Sequence, residues 1–310
     1  MEKTVCKLVK QHWDDLHPSG DVPEFLVFMK VASKTSPNAS IIGMILDASN
    51  RCPVAVAKIP RNPKSTLGLE RENISMIDLR RSVSNAKLLS NTSCYGVLVK
   101  YKGVNILLQK AGSGQSMVRQ MTSRVTIESI YEKILPWMFD FHIDGAKEYC
   151  LEGDVLIEFV EKPVSKFFEQ YQDIARNILS EKAQQYLYQL PIKTQGQAVS
   201  LCRQHGDFNA HNILVEYNYG SLKDFTLIDW EDYRTLQLPI HDLNHFFTSN
   251  SNLLGAGMTP DESYAKFVLN NGWYRDLYMK AVKAYEAHGL IDHETFLSLT
   301  PLYLVDTIHY

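Results

Sequence analysis

The chain has 310 residues, 45% hydrophobic and 22% charged, with a formal net charge of −3. That length fits about two domains or one large one, with enough apolar material for a sizeable core. The near-balanced charge gives no reason to expect a nucleic-acid or membrane partner.

Residues 5–16 read as a short helix, with Val5, Leu8, Val9, His12 and Trp13 on one side, ended by His17-Pro18-Ser19-Gly20-Asp21. Three strand-like runs follow at 24–31, 41–46 and 53–59, the third carrying Val54, Val56 and Lys58 on alternate positions. Residues 47–51 form a hairpin-type turn, and residues 33–40 form a small polar loop. After a linker at 60–65, residues 67–89 show helical spacing through Leu69, Ile74, Ile77 and Leu88. Two more strands span 95–101 and 104–109, joined at Lys102-Gly103. Ala111-Gly112-Ser113-Gly114 is the expected domain boundary, because it is flexible and strands give way to helices there. Residues 127–141, 164–179 and 184–190 look helical, and 198–204 lead into the next motif. Beyond residue 229 the chain reads as helical at 240–247, 261–269, 274–288 and 293–304. The expectation is an α+β bilobal fold. Residues 1–111 give a five-stranded antiparallel lobe, and residues 112–310 give a mainly helical lobe.

The chemistry concentrates in His205-Gly206-Asp207-Phe208-Asn209-Ala210-His211-Asn212, followed by an apolar strand and then Leu227-Ile228-Asp229-Trp230-Glu231. An Asp and an Asn separated by four residues can aim a carboxylate at a hydroxyl and an amide oxygen at a metal. The second strand delivers another carboxylate. This is the kit for phosphoryl transfer with Mg²⁺ on a nucleotide. Lys58 lies near the end of its strand, where an ammonium can reach phosphates, and a Glu on the following helix can hold it. Glu72 is preferred and Glu70 is the rival. A lone strand Lys or a lone Asp-x4-Asn is common by chance. The ordered set of strand Lys, helix Glu, hinge, motif and Ile-Asp-Trp is not.

With these residues in hand, the sequence resembles the aminoglycoside phosphotransferase and choline kinase-like family, small-molecule kinases that share the protein-kinase fold. The family motif of His-Gly-Asp, four residues, Asn, Ile or Val, Leu matches residues 205–214. Its Ile-Asp-Trp/Phe-Glu matches residues 228–231, and a later Asp-Leu with aromatics matches Asp242-Leu243-Asn244-His245-Phe246-Phe247. The resemblance implies Asp207 as catalytic base, Asn212 and Asp229 as Mg²⁺ ligands, and Lys58 held by Glu72 against ATP. It implies a hinge at 108–111, with Gln109, Lys110 and Ala111 meeting the adenine through backbone groups. His205 would brace the loop and Asp242 would steady it from the next helix. The cofactors implied are ATP and Mg²⁺, and the partner is a small-molecule hydroxyl acceptor: an aminoglycoside, an amine alcohol or a sugar-type compound. Two departures matter. The loop at 33–40 has no glycine, unlike protein kinases, and no Asp-Phe-Gly or Ala-Pro-Glu segment follows Asp229, which argues against a protein kinase. A non-catalytic kinase-fold binding module is the alternative.

Other features carry less. Residues 205–310 hold 14 acidic and 6 basic side chains against 21 and 26 in residues 1–204, a tilt toward a cationic acceptor that a solvated acidic surface would also give. Cys6, Cys52, Cys94, Cys150 and Cys202 are odd in number, with no CxxC, so neither a zinc site nor a disulfide framework is expected. A polar N-terminus and the lack of ~18 consecutive apolar residues point to a cytoplasmic protein. His241 and His245 share a helix face, where packing is a better reading than metal binding. Gly112-x-Gly114 is a hinge and not a dinucleotide loop. The aromatics Trp230, Tyr233, Trp273, Tyr274, Tyr278 and Tyr285 read as core, with a box for a quaternary ammonium as the rival.

Overall fold

The structure, a computed structural model, describes residues 2–18, 20–31, 40–177, 179–218 and 221–307. The strands in chain order are β1 (Leu26–Lys30), β2 (Ile41–Asp47), β3 (Pro53–Ile59), β4 (Gly96–Tyr101), β5 (Val104–Lys110), β6 (Gln115–Ser116), β7 (Lys147–Cys150), β8 (Ala198–Gln204), β9 (Ile213–Asn218), β10 (Ser221–Leu227) and β11 (Arg234–Gln237). The chain divides into two compact units. One comprises residues 1–120 and 210–233, the other 121–209 and 234–310.

In the first unit, β1 to β5 form one antiparallel sheet in the order β1-β2-β3-β5-β4. Register decides what each face does, because directly paired residues point to the same side. Phe28, Ile45 and Ala55 form one row, and Met29, Met44 and Val56 form a row on the opposite face. The first face is covered. Val5, Leu8, Val9, Trp13 and Leu16 from the helices Glu2–Gln11 and Trp13–Leu16 pack on Ile45, Ala55, Ala57, Ile106 and Leu108. The small alanines let the helices sit close to the sheet. Gly43 makes room for the Phe28 ring of the neighbouring strand, since an added Cβ would lie 2.1 Å from it.

The helix Pro63–Ser82 starts where the chain chemistry says it should: Asn62 caps it, Ser65 completes the capping box, and Pro63 stands at its first turn. It therefore begins inside the expected linker at 60–65. It buries Leu69, Glu72, Met76 and Leu79. Ile74, expected on the inward face, is 65% exposed. Five residues separate it from Leu69, which turns it about 140° away around a helix of ~100° per residue. The expected single helix over 67–89 is two, with Asn85 capping a second at Ala86–Ser90.

The loop expected at 33–40 lies, apart from Ser40, outside the described residues. The boundary expected at 111/112 also differs from the division by contacts. The chain past Ala111 stays with the first unit, because β6 pairs with β9, whose hairpin partner is β10. Gly114 makes that pairing possible. It has φ +101°, and a Cβ there would lie 2.4 Å from the Val215 carbonyl oxygen. Backbone cannot yield as a side-chain tip can. Gly114→Ala is expected to cost about 1–3 kcal/mol in chemical denaturation; an unchanged midpoint would refute this reading of the turn.

In the second unit, β8 lies between β7 and β11. Neither β7 nor β11 stands out in the sequence. Both are short polar edges whose partner is the buried strand β8, so pairing rather than alternation defines them. The helices are Arg124–Ile143, Gly153–Leu156, Lys162–Gln170, Gln172–Asn177, Glu181–Thr194, His241–Leu254, Pro260–Tyr264, Trp273–Ala287 and His293–Thr307. Their core is aromatic: Tyr131, Phe246, Phe247, Tyr274 and Tyr285 are buried. Tyr131 and Tyr274 join hydroxyls at 2.8 Å, and Asn250 donates to Tyr131 at 3.1 Å.

Candidate functional site

In the first unit, strand alternation puts Lys58 on the face that the N-terminal helices leave bare. Its Nζ donates to Glu72 Oε1 at 2.8 Å, to Glu72 Oε2 at 2.7 Å and to Asp229 Oδ1 at 2.8 Å. Glu70, the rival, instead accepts from Asn105 at 2.8 Å. The Lys58 side chain is 14% exposed, Glu72 1% and Asp229 40%. Burial alone would lower the Lys58 ammonium's pKa, but Glu72 and Asp229 hold it above the ordinary lysine value. Gln109 fixes Glu72 from the other side, donating from Nε2 to Oε1 at 2.7 Å. A buried carboxylate with this many partners depends on them. Glu72→Ala strands the Gln109 amide and leaves Lys58 to Asp229 alone, so a loss of about 1–3 kcal/mol is expected in chemical denaturation. A variant as stable as the parent would show the pair to be dispensable.

Asp229 follows β10 and adopts φ +68°, a left-handed conformation that Asp tolerates better than most residues. Asn212 ends the short turn Ala210–Asn212 before β9, and its carbonyl accepts from the Ile228 N–H at 3.0 Å. The β9–β10 ladder thus ties Asn212 to the residue before Asp229. Burial raises the pKa of Glu231 above the usual carboxylate value, and Asp229 and Asp232 add to the rise. The hairpin end is therefore a place of surplus negative charge lined by hard oxygen donors. That set suits Mg²⁺, which takes one or two protein oxygens and keeps water. Among the described residues no cluster of three or more His, Cys, Asp or Glu is placed to hold a metal.

The hinge expectation needs correcting for Gln109, Lys110 and Ala111. β5 runs on through Lys110, so Gln109 and Lys110 are strand and Ala111 directly follows it. Gln109 pairs with Val56 and Gly96 and turns its side chain to Glu72. The N–H groups of Lys110 and Ala111 donate to the carbonyls of Tyr95 and Val54 at 2.8 and 3.1 Å, so neither is available to an adenine. The sequence reading also passed over the bare row Met29, Met44 and Val56, one register step from the Ile42–Lys58 pair. Met29 is 46% exposed. Apolar alternation in β2 and β3 was the available signal, but alternation alone does not say which face a helix covers.

In the second unit, Gly206 takes φ +88° and lets the chain after β8 turn. Asp242, at the start of the helix His241–Leu254, receives that turn: Oδ2 accepts from the His205 N–H at 2.6 Å and Oδ1 from the Gly206 N–H at 2.9 Å. His142 Nε2 reaches Asp242 Oδ2 at 3.2 Å, and the Tyr285 hydroxyl meets His142 Nδ1 at 2.7 Å. Burial pushes Asp242 up, but His142, His205 and the His205 N–H outweigh it and hold the carboxyl below its usual range. His205 stays in the loop, its Nδ1 accepting from the Asp207 N–H at 3.3 Å.

Asp207 is 42% exposed and is oriented on one oxygen. Its Oδ1 accepts from Asn209 Nδ2 at 2.6 Å and lies 2.9 Å from His245 Nε2. His245 Nδ1 lies 3.1 Å from the Tyr303 hydroxyl. With Nε2 protonated, the tyrosine donates to Nδ1 and the imidazole donates to the carboxylate, a consistent chain of polarity. In the sequence reading His245 packs with His241 on one helix face in preference to binding metal, and is not paired with Asp207. Its contact with Asp207, 38 residues away, is tertiary. The aromatic box fares similarly, since Trp230, Tyr274, Tyr278 and Tyr285 are all buried in cores.

Residues 112–254 match the profile of the ecdysteroid kinase-like family. No curated protein matches the chain. A GDP complex of a mutant aminoglycoside 2′-phosphotransferase-IIIa superposes with a TM-score of 0.52 at 12% identity, covering 100% of this chain and 89% of that one. Plasmodium vivax ethanolamine kinase superposes with a TM-score of 0.50 at 15% identity, covering 99% and 80%. At such identities the likeness is one of fold. The chain has the α+β architecture of the kinase-like small-molecule phosphotransferases, as its motifs led one to expect.

Proposed function

We propose that this chain, kinase-like in fold and ecdysteroid kinase-like over residues 112–254, is an ATP- and Mg²⁺-dependent kinase acting on a hydroxyl of a small molecule. The observation that carries the reading is Lys58 held between Glu72 and Asp229, with Asn212 tied to the residue before Asp229. A cation on a strand, fixed by a buried carboxylate, beside two hard-oxygen side chains, is an arrangement for phosphates and their metal. Asn212 and Asp229 would hold Mg²⁺, which when bound neutralises charge on the nucleotide's phosphates. Lys58 would contact the phosphates. The bare apolar row of Met44 and Val56 would take the base.

Asp207 stands five residues before Asn212 in the chain and would act on the acceptor. It takes the hydroxyl proton as that oxygen bonds to the terminal phosphorus and the bond to the nucleoside diphosphate breaks. His245 and Asn209 hold one carboxylate oxygen and so orient the carboxylate, whose side chain is 42% exposed. The candidate acceptors are an aminoglycoside, an amine alcohol or a sugar-type compound. The family match adds a polyhydroxylated ecdysteroid-type alcohol. The acidic C-terminal third favours a cation within that set. No helix of the described residues is long and apolar enough to cross a membrane. The protein is read as cytoplasmic, without a nucleic-acid partner.

The test is Mg²⁺-dependent nucleotide consumption against a panel of these four acceptor classes. One class should stimulate turnover, and Asp229→Asn should raise the Mg²⁺ concentration needed about tenfold or more. Nucleotide binding that ignores Mg²⁺ in both proteins would rule the reading out.

A further inference from the structure

Near the end of β5, within the first unit, lies a cavity of about 350 Å³ whose lining includes Leu89, Ser93, Tyr95, Lys110, Ser113 and Thr226. None of Lys58, Glu72, Asn212 and Asp229 lines it. The sheet register makes the separation definite. Gln109 shares its face with Val56 and turns to Glu72, whereas Lys110 pairs with Ala55 and so belongs to the opposite face. The Lys110 ammonium lies over the Tyr95 ring at 5.8 Å from its centroid.

The polar groups of the lining are unequal. Thr92 Oγ1 donates to the Leu89 carbonyl at 2.9 Å, and Ser90 Oγ donates to the Lys87 carbonyl at 2.7 Å, so both hydroxyl protons are committed. Ser93 is different. It is buried, 6% exposed, and its Oγ has no hydrogen-bond partner among the described residues. A buried hydroxyl left unmatched is destabilising, so a ligand that satisfies it gains by doing so. The lining carries one ammonium and no carboxylate. Its apolar parts are Ala86, Leu89, Ala111 and Tyr95. The volume is at the small end of the range for ligand pockets.

We propose that this cavity is a second binding site, separate from the Lys58 site, for a small organic oxyanion. The ligand's phosphate or carboxylate meets the Lys110 ammonium, the Ser93 hydroxyl turns about its Cα–Cβ bond from its shielded position to donate to it, and the compact apolar body lies on Leu89 and Tyr95. The site does not depend on the chain being a kinase.

Isothermal titration of the full chain with phenyl phosphate, benzoate and inorganic phosphate tests it. Saturable binding of phenyl phosphate or benzoate is expected, tighter than that of inorganic phosphate, because the body contributes. Tighter binding of phenyl phosphate than benzoate assigns the oxyanion as phosphate, and the reverse order assigns it as carboxylate. Lys110→Met and Ser93→Ala should each weaken binding about fivefold or more, equivalent to ~1 kcal/mol. Asp229→Asn and a saturating non-hydrolysable ATP analogue should leave it unchanged. No saturable binding of either aromatic anion would overturn the proposal. So would binding that both cavity variants retain, or binding that the ATP analogue displaces.

Discussion

Asp207→Asn is expected to lower kcat by about 10²–10⁴-fold while nucleotide affinity stays within about threefold of the parent. The reasoning runs through geometry. One oxygen of Asp207 is held by Asn209 and His245, and the side chain is 42% exposed, so the carboxylate is both oriented and accessible. An amide in that place keeps the shape and removes the proton acceptor. In the proposed reading nucleotide binding would draw on Lys58, Asn212 and Asp229, which the substitution leaves alone. The measurement is steady-state turnover with the acceptor the panel identifies, alongside nucleotide titration. A variant within tenfold of parental kcat would remove Asp207 from the role of base. His245→Gln should fall between the two, because it loosens the carboxylate without removing it.

The second large effect is on stability. Asp242 is 1% exposed and accepts from His205 N–H, Gly206 N–H and His142. Asp242→Asn presents an NH₂ group to donors that need acceptors, and it breaks a buried charge-assisted set. A loss of about 3–5 kcal/mol is expected. The pH dependence follows from the lowered carboxyl pKa of the folded protein. A depressed carboxylate contributes stability that is complete above the unfolded value of about 3.9 and is lost as pH falls through the lower folded value. The gap between parent and Asp242→Asn should therefore be full at neutral pH and shrink below about pH 4. Urea denaturation at pH 7, 5, 4 and 3 reads it. A gap that stays constant across that range would mean that Asp242 acts by shape and not by charge. Because Asp242 holds the two residues before Asp207, the same variant should also lose turnover under conditions where it remains folded.

Local chemistry was legible wherever a few adjacent residues carry it. The strands at β2, β3, β4 and β5 follow from alternation, and the helix Pro63–Ser82 from its cap and spacing. The antiparallel five-stranded sheet and the helical second half follow from the order of such runs. The motif at 205–214 and the Asp at 229 stand out because their residue types and spacing are improbable together. Ile74 shows where local reading slips: its apolar character suggested an inward face, but its angle around the helix turns it to solvent.

What remained was decided by contacts between distant parts of the chain. That Glu72 and not Glu70 meets Lys58 depends on the rotation of a helix against a strand. That Lys110 and Ala111 have no free N–H depends on Tyr95 and Val54 being their neighbours across the sheet. The partnership of Asp207 with His245, and the return of residues 210–233 to the first unit, depend on the tertiary path alone. A sequence states which groups the chain owns and, through period and capping, how each short segment folds. Which face is covered, which polar group finds its partner and which is left over, as at Ser93, is fixed only when segments far apart compete for the same buried space.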